Sequence, residues 1–410
     1  MKIIVVGAGV IGVNCAHALA DRGHDVTIID REGPAAGTSQ GNAGWIAHTD
    51  IAPLASPKIL RQIPGFLMDP LGPLAIRWSY ALSIAPWLAR FVLSARPGHY
   101  RRAMDALVAL QSLALPSWQA RANAASISNL IHHRGSLYAF DNQAAFERQK
   151  SYFARLKEIG VDLHLLNNDE MRQLEPALSK RFVAAAYHAN TAHVSDPREI
   201  TTALFDAALA RGIGFHRGVV AAVETRDRPT LRLDDGASLS ADRIVLAAGV
   251  WSRPLAKMLG DKIPLESERG YNVSFPGATN IISRPISFDG HGFVTSPLDS
   301  GLRVGGAVEF AGLRAEPNHA RTRALYDKAA QFISGVPAFE TGRVWMGHRP
   351  SLPDSLPVIG QSTASSAVLY AFGHGHYGLT QSAATGRLIA ELLDGGPTSI
   401  DLSPFSAQRF

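Results

Sequence analysis

The stretch Ile3-Ile4-Val5-Val6-Gly7-Ala8-Gly9-Val10-Ile11-Gly12 decides the fold. Four apolar residues are followed by glycines spaced G-x-G-x-x-G, then by Val13–Ala20 with helical character. Asp25–Ile29 is a second short β-branched run, and it closes on Asp30. Strand, glycine turn, helix and strand in about thirty residues form the unit of a parallel dinucleotide-binding sheet. Gly7 permits the tight turn, and Gly9 lets the backbone approach a pyrophosphate. Gly12 lets helix and strand pack closely, so the helix N-terminus offers its unpaired N–H groups to phosphates. Asp30 is placed to accept from ribose hydroxyls, and its charge argues against a 2′-phosphate there.

Working outward, 410 residues exceed one simple module, and two or three domains are expected. With 46% apolar and 18% charged residues, the composition excludes a disordered chain, a collagen-like fibre and a disulfide scaffold. Forty basic against 35 acidic residues give a net charge of +5. The basic surplus forms no block longer than spots such as Arg101-Arg102, so it reads as solvated surface, and no nucleic-acid partner is expected. The single cysteine, Cys15, rules out an internal disulfide framework and a cysteine-based metal site, and fits a reducing compartment. The apolar start superficially resembles a signal peptide, but Gly7, Gly9 and Gly12 interrupt it. No uncharged apolar stretch reaches the ~18 residues of a membrane span. The longest, Trp78 to Ala89, lies between Arg77 and Arg90 and contains Pro86. A cytoplasmic location is expected.

Residues 52–125 read as helical and apolar, with Pro53, Pro57, Pro64, Pro70 and Pro73 breaking the first part. Gly135–Phe140 reads as a strand, and Gln143–Ile159 as an amphipathic helix ended by Gly160. Asp196-Pro197 opens a helix through Ala210, with Asp as cap and Pro at the first position. Ile213–Val223, Thr230–Leu233 and Arg243–Ala247 read as strands, and Arg269–Phe275 and Leu302–Phe310 as strands of a second, antiparallel sheet. A helix at Arg321–Ile333, a strand at Val368–Phe372 and a helix from Ser382 to Leu393 complete the chain.

Further motifs narrow the cofactor. Gly37-Thr38-Ser39-Gln40-Gly41-Asn42-Ala43-Gly44 follows Asp30, and Val245-Leu246-Ala247-Ala248-Gly249-Val250-Trp251-Ser252 comes later. Near the C-terminus stand Gly347-His348-Arg349-Pro350, Pro353-Asp354, Pro357-Val358-Ile359-Gly360 and Gly373-His374-Gly375-His376-Tyr377-Gly378-Leu379-Thr380. Together these resemble the FAD-dependent D-amino acid oxidase superfamily, closest to its D-amino acid dehydrogenase branch, over essentially the whole chain. The resemblance implies an α/β fold: a Rossmann-like FAD-binding domain interleaved with an α+β substrate domain on an antiparallel sheet. Residues 1–50, 190–262 and 344–398 are assigned to the first, 51–189 and 263–343 to the second, and 399–410 to a tail. The implied cofactor is non-covalent FAD, since no cysteine stands near the flavin loops. Its predicted contacts are Gly7, Gly9, Val10, Ile11, Gly12, Asp30, Arg31, Thr38, Ser39, Asn42, Ala43, Gly44, Val220, Ala248, Gly249, Trp251, Gly347, Arg349 and the run Gly373, His374, Gly375, His376, Tyr377, Gly378, Leu379 and Thr380. Small residues in these loops let backbone run against the flavin, and N–H groups before the last helix favour negative charge on its pyrimidine end. His374 and His376 supply too few ligands for a metal, and none is expected.

In the resembled superfamily the arginine of the Gly-x-Arg-Pro motif binds the substrate carboxylate, which assigns that role to Arg349; its alternative is an ion pair with Asp354. Tyr271 is expected on a strand lining the pocket, sharing the carboxylate or packing. His48 and His376 are flavin-side candidates for contact with substrate or for holding their loops. The implied reaction is hydride transfer from Cα of a D-amino acid to flavin N5, giving an imino acid that hydrolyses to a 2-oxo acid and ammonia. Electrons would pass to a quinone or other acceptor. The tail loop departs from the dehydrogenases after its first glycine and before Thr380, which puts broad D-alanine-type specificity in question. D-proline or D-hydroxyproline, and a sarcosine- or glycine-oxidase-like activity, therefore stay open. So does peripheral membrane contact through 63–96, at the inner face, where Phe66, Trp78, Tyr80, Trp87 and Phe91 alternate with arginines.

Overall fold

Ile3–Val6 is buried on both faces, as befits a run with no polar alternation in a sheet covered by helices. In the computed structural model, which describes residues 1–69, 71–226 and 228–410, strand Lys2–Val6 is central to that sheet. It pairs in parallel with Asp25–Asp30 on one side and Arg243–Leu246 on the other. Gly214–Arg217 extends the sheet beyond Asp25–Asp30, Val368–Phe372 beyond Arg243–Leu246, and antiparallel Val358–Gln361 closes the far edge. Gly7 takes φ +114°, and a Cβ on Gly12 would strike the Gly7 carbonyl oxygen. The turn into helix Val10–Ala20 therefore needs glycine at both positions.

A second, larger sheet runs in the order Arg343–Ser351, Glu266–Pro276, Gly301–Phe310, Phe293–Leu298, Ile286–Phe288, Ser136–Phe140, Ala184–His188, Leu163–Asn167. Its pairs are antiparallel except Ile286–Phe288 with Ser136–Phe140, and Leu74–Ile76 against the end of Gly301–Phe310. Arg343–Ser351, assigned by sequence with the nucleotide-binding segments from 344 onward, is thus an edge of this sheet, paired with Glu266–Ser274. Segment 399–410 is tied down: Phe405 is buried in the main core, and Arg409 pairs with Asp354 at 2.8 Å.

Other readings shift in instructive ways. Ile213–Val223 is two strands in different sheets, because the chain turns at Gly218, whose N–H donates to the Asp30 carbonyl. Gln143–Ile159 bends at Gln149 into Gln143–Arg148 and Lys150–Glu158, which brings both Phe146 and Phe153 against Phe140. The last helix begins at Gly378 rather than Ser382 and ends at Asp394. Residues 52–125 hold the helices Pro57–Met68, Ala81–Ser94 and Pro97–Ala124; Pro70 lies outside the described residues. The Asp196 cap is present, its carboxylate accepting from Arg198 and Glu199 N–H. No helix among the described residues is long and apolar enough to cross a membrane.

Candidate active site

Between the two sheets lies one continuous cavity of about 920 Å³. Its walls come from the glycine turn (Gly7, Gly9, Val10, Ile11), the end of the second strand (Asp30, Arg31), the loop Thr38, Ser39, Asn42 and Ala43, and Val220, Ala248, Gly249 and Trp251. Beyond them lie Gly347, Arg349 and the run from Gly373 to Leu379. Predicted contacts scattered over more than 370 residues of sequence therefore converge. Three stand behind the wall. Gly12 packs on the turn, a Cβ on Gly44 would press on Leu298, and Thr380 Oγ1 accepts from Ala47 N–H while donating to the Trp45 carbonyl.

The donors at this cavity fit a flavin dinucleotide. Helix Val10–Ala20 opens at Gly9 with no side-chain cap and no acid in its first turn, and so does helix Gly378–Asp394 at Tyr377. Two open N-termini facing one cavity leave backbone N–H groups and positive dipole ends for anionic groups. Val10 N–H is held by Ser39 Oγ at 3.0 Å. Asp30 Oδ2 accepts from Ala8 N–H at 2.8 Å and Oδ1 from Glu32 and Gly33 N–H, so this carboxylate also fixes the glycine turn. Arg31 lies 3.9 Å over the Trp251 ring. Thr38 Oγ1 donates to the His348 carbonyl at 2.6 Å, joining the loop to strand Arg343–Ser351.

Arg349 projects from that edge strand into the cavity with 19% of its side chain exposed. Nη1 donates to Glu268 Oε1 and to the Ala307 carbonyl, each at 3.0 Å, and Nη2 to the Gly306 carbonyl at 3.4 Å. Nε makes no hydrogen bond among the described residues and Nη2 only the long one to Gly306, and the Nε–Nη2 edge is the parallel pair a carboxylate would meet. The neighbouring strand permits this pose at Gly270, where a Cβ would collide with the guanidinium. Asp354, the alternative partner, binds Arg409 instead.

Glu268, which the sequence reading missed, organises the site. It is directly opposite Arg349 in the strand pairing, 2% exposed, and also bonded to His376 Nε2 at 2.9 Å and Ser351 Oγ at 2.9 Å. Burial opposes its charge, but His376 and then Arg349 outweigh burial and hold it down at about 2. His374 turns away to Thr385 Oγ1 at 2.9 Å, and burial pushes it down to about 3. The two histidines thus have separate partners.

Two candidates do not reach the ligand space with their polar groups. Tyr271 is 1% exposed and its hydroxyl donates to Glu309 Oε2 at 2.5 Å, on the strand face opposite Glu268 and Gly270. That hydroxyl is committed to a buried carboxylate, which Arg77 and Arg269 also approach. His48 is not part of the cavity wall; it sits near His188, and burial lowers it against a backbone bond to Ile46.

Asp50, also missed, does line the cavity and accepts from the Tyr138 hydroxyl. Burial pushes Asp50 up to about 6, the Tyr138 bond opposing. The signal for both acids was weak but present: Glu266, Glu268 and Arg269 are three charges in one buried strand, and Asp50 follows an apolar, small-residue loop.

The chain matches the DAO family of FAD-dependent oxidoreductases over residues 2–392. It is 38% identical to a D-amino-acid oxidase of Bradyrhizobium diazoefficiens over 415 residues, covering 100% of this chain and 98% of that protein. It is 31% identical to a D-amino acid dehydrogenase of Paramagnetospirillum magneticum over 423 residues, covering 100% and 99%. Among solved structures, an L-proline dehydrogenase from P. horikoshii matches with a TM-score of 0.76 at 20% identity, over 100% of this chain and 97% of that one. The convergence of the glycine turn, the flavin-loop segments and the last helix on one cavity is what this match requires, and the chain belongs to the DAO family of FAD-dependent oxidoreductases, with FAD as its cofactor.

Proposed function

We propose that the protein oxidises the carbon–nitrogen bond of a D-amino acid, yielding an imino acid that water converts to a 2-oxo acid and ammonia. The observation that carries this reading is Arg349, which lines the cavity together with the Gly373–Gly378 loop, is anchored at Nη1 by Glu268, and keeps Nε without a hydrogen bond among the described residues. When bound, FAD would supply the acceptor for the hydride from Cα. Gly7, Gly9, Val10 and Asp30 would hold its phosphate and ribose end, and the Gly373–Leu379 run its flavin end. Arg349 binds the substrate carboxylate through Nε and Nη2 and fixes the direction of Cα. Glu268, the Ala307 carbonyl and Ser351 restrict the guanidinium to one orientation, so rate enhancement comes from positioning and electrostatics. The relatives named as D-amino-acid oxidase and D-amino acid dehydrogenase support the substrate class.

Anaerobic mixing with D-alanine, L-alanine, D-proline, sarcosine and glycine tests this. D-amino acids should bleach the oxidised flavin band, and acid precipitation should leave the flavin in the supernatant. Bleaching by the L-enantiomer or by sarcosine alone would overturn the assignment, and flavin left in the pellet would make its attachment covalent.

The acceptor we assign is a quinone met at an anionic membrane surface, on the inner face. Helices Pro57–Met68 and Ala81–Ser94 line the cavity with Ile59, Ile63, Trp87 and Phe91. The same segment exposes Met68 (81%), Trp78 (94%) and Leu82 (91%), too concentrated for scattered surface apolars. Arg61, Arg90 and Arg96 accompany them, while Lys58 and Arg77 pair with Asp289 and Glu309, and Asp69 is the one acid from 54 to 96. The holoenzyme should float with anionic vesicles and stay behind with neutral ones, and Trp78→Ser with Leu82→Ser should abolish flotation. Equal behaviour on both vesicle types, or peroxide formed in step with substrate in air, would count against it.

A further inference from the structure

Among the described residues, the carboxylates drawn into the interior meet a cation or several donors, and the half-buried Asp50 is the exception. Glu268 has Arg349 and His376, Glu309 has Arg77 and Arg269, and Glu175 has Arg284 at 2.8 Å. Asp261 has no cation but accepts from Ser362, Thr363 and Tyr370 hydroxyls and from Thr363 N–H. Asp50 has the single Tyr138 hydroxyl, makes no ion pair among the described residues, and faces the cavity. A carboxylate partly withdrawn from water with so few partners is stabilised when a counter-ion arrives.

Its surroundings suit a cation. The titratable groups that feel its charge are phenols: Tyr138 on strand Ser136–Phe140, Tyr152 on helix Lys150–Glu158 and Tyr377 before the last helix, with Tyr100 on helix Pro97–Ala124 next to the last two. The nearest histidines, His48 and His188, are both lowered by burial. Gln111, on the same long helix as Tyr100, is spent on the Asp50 backbone carbonyl at 3.0 Å. The Trp45 ring stands 5.4 Å from that of Tyr138 and lines the cavity. Aromatic faces beside a carboxylate are the usual environment for an ammonium or guanidinium. Tyr377 is next in sequence to His376, which binds Glu268, so one short loop touches both this centre and the Arg349 centre.

We propose that Asp50, walled by Trp45 and Tyr138, binds a protonated nitrogen of the substrate, while Arg349 binds its carboxylate; where that nitrogen is the α-amine, Asp50 takes its proton before hydride leaves Cα, because the C=N bond forms from the neutral amine's lone pair. The cavity then carries one fixed positive and one fixed negative group, complementary to an amino acid. This rests on the Arg349 reading above. The nitrogen has two sources, the α-amine and a basic side chain.

The test compares wild-type holoenzyme with Asp50→Asn, using D-alanine, D-norvaline, D-lysine and D-arginine as substrates and propionate as a carboxylate without nitrogen. Flavin reduction gives substrate affinity, and the flavin band shift gives the propionate Kd. Asp50→Asn should weaken amino acids by about thirtyfold or more, the usual loss when one partner of a buried charge pair is removed. The propionate Kd should change less than about twofold, well under the loss of any buried partner. Loss with all four substrates assigns the α-nitrogen; loss confined to D-lysine and D-arginine assigns a side-chain nitrogen. If all four stay within about threefold while propionate still binds, Asp50 is not the cation site, the difference being under roughly 0.7 kcal/mol. If propionate fails to bind wild type, the Arg349 reading fails instead. Wild type alone gives a second check should Asp50→Asn not fold. D-amino acid binding should weaken as pH falls through about 6, as Asp50 takes a proton, while propionate binding does not. Parallel pH curves would overturn the proposal.

Discussion

Arg349→Ala is expected to lower kcat/KM by roughly 30-fold to several thousand-fold, the equivalent of about 2–5 kcal/mol for a buried charged partner. Two effects combine. The substrate carboxylate meets no fork, and Glu268 keeps its charge with only His376 and Ser351 around it. Most of the loss should fall on KM, with kcat also reduced because Cα is no longer aimed. Arg349→Lys should recover little, since a point charge cannot give two parallel bonds and also reach Glu268 and the Ala307 carbonyl. Amines without a carboxylate should be poor substrates of both proteins and nearly indifferent to the change. FAD content must stay normal. A kcat/KM within about threefold of wild type, under roughly 0.7 kcal/mol, would place the carboxylate site elsewhere.

Glu268→Gln should cost stability as well as affinity. The carboxyl is ionised down to about 2 in the folded protein, against an ordinary value of 4.5. A depressed carboxyl stabilises the fold fully above its unfolded value and loses that contribution as pH falls toward the folded one. The shift corresponds to about 3 kcal/mol. Thermal unfolding of the holoenzyme should therefore separate wild type from Glu268→Gln fully at pH 7. The gap should begin to close below about pH 4.5 and shrink toward pH 2. A gap independent of pH would mean that the carboxyl contributes by shape rather than charge. At neutral pH the variant should also show a raised KM, because Arg349 keeps only backbone carbonyls to hold it.

The nucleotide end was legible because its signals are local. Three glycines, a helix and an acid within thirty residues fix one another through short-range sterics, and the turn needs no distant partner. Arg349 was legible through its motif. Glu268 was not, since its importance depends on strand register, which sets it opposite a residue 81 positions away, and on a loop that delivers His376. Tyr271 shows the same limit from the other side. Side chains alternate along a strand. Arg269, Tyr271, Val273 and Phe275 share the buried face, Glu268, Gly270 and Asn272 the face toward the cavity, and Tyr271 also contributes to the cavity wall while its hydroxyl turns to Glu309. A one-residue offset separates a ligand from a core phenol, and composition carries no record of it. Asp50 and Trp45 lie beside the readable glycine loop, yet their common environment with Tyr138 arises only when strand Ser136–Phe140 packs there.

The order of the parallel sheet has a consequence for how the protein is made. Its central strand, complete by Val6, waits for a partner at Arg243–Leu246, and that partner waits for Val368–Phe372. Contacts so distant along the chain carry a large loop-closure entropy and form slowly. The cofactor cavity, walled by residues from Gly7 to Leu379, can close only after these pairings. A ligand that binds the closed state alone pulls the equilibrium toward it by mass action. Free FAD thus favours the assembled chain by mass action, and holoenzyme should unfold at a higher temperature than protein stripped of flavin.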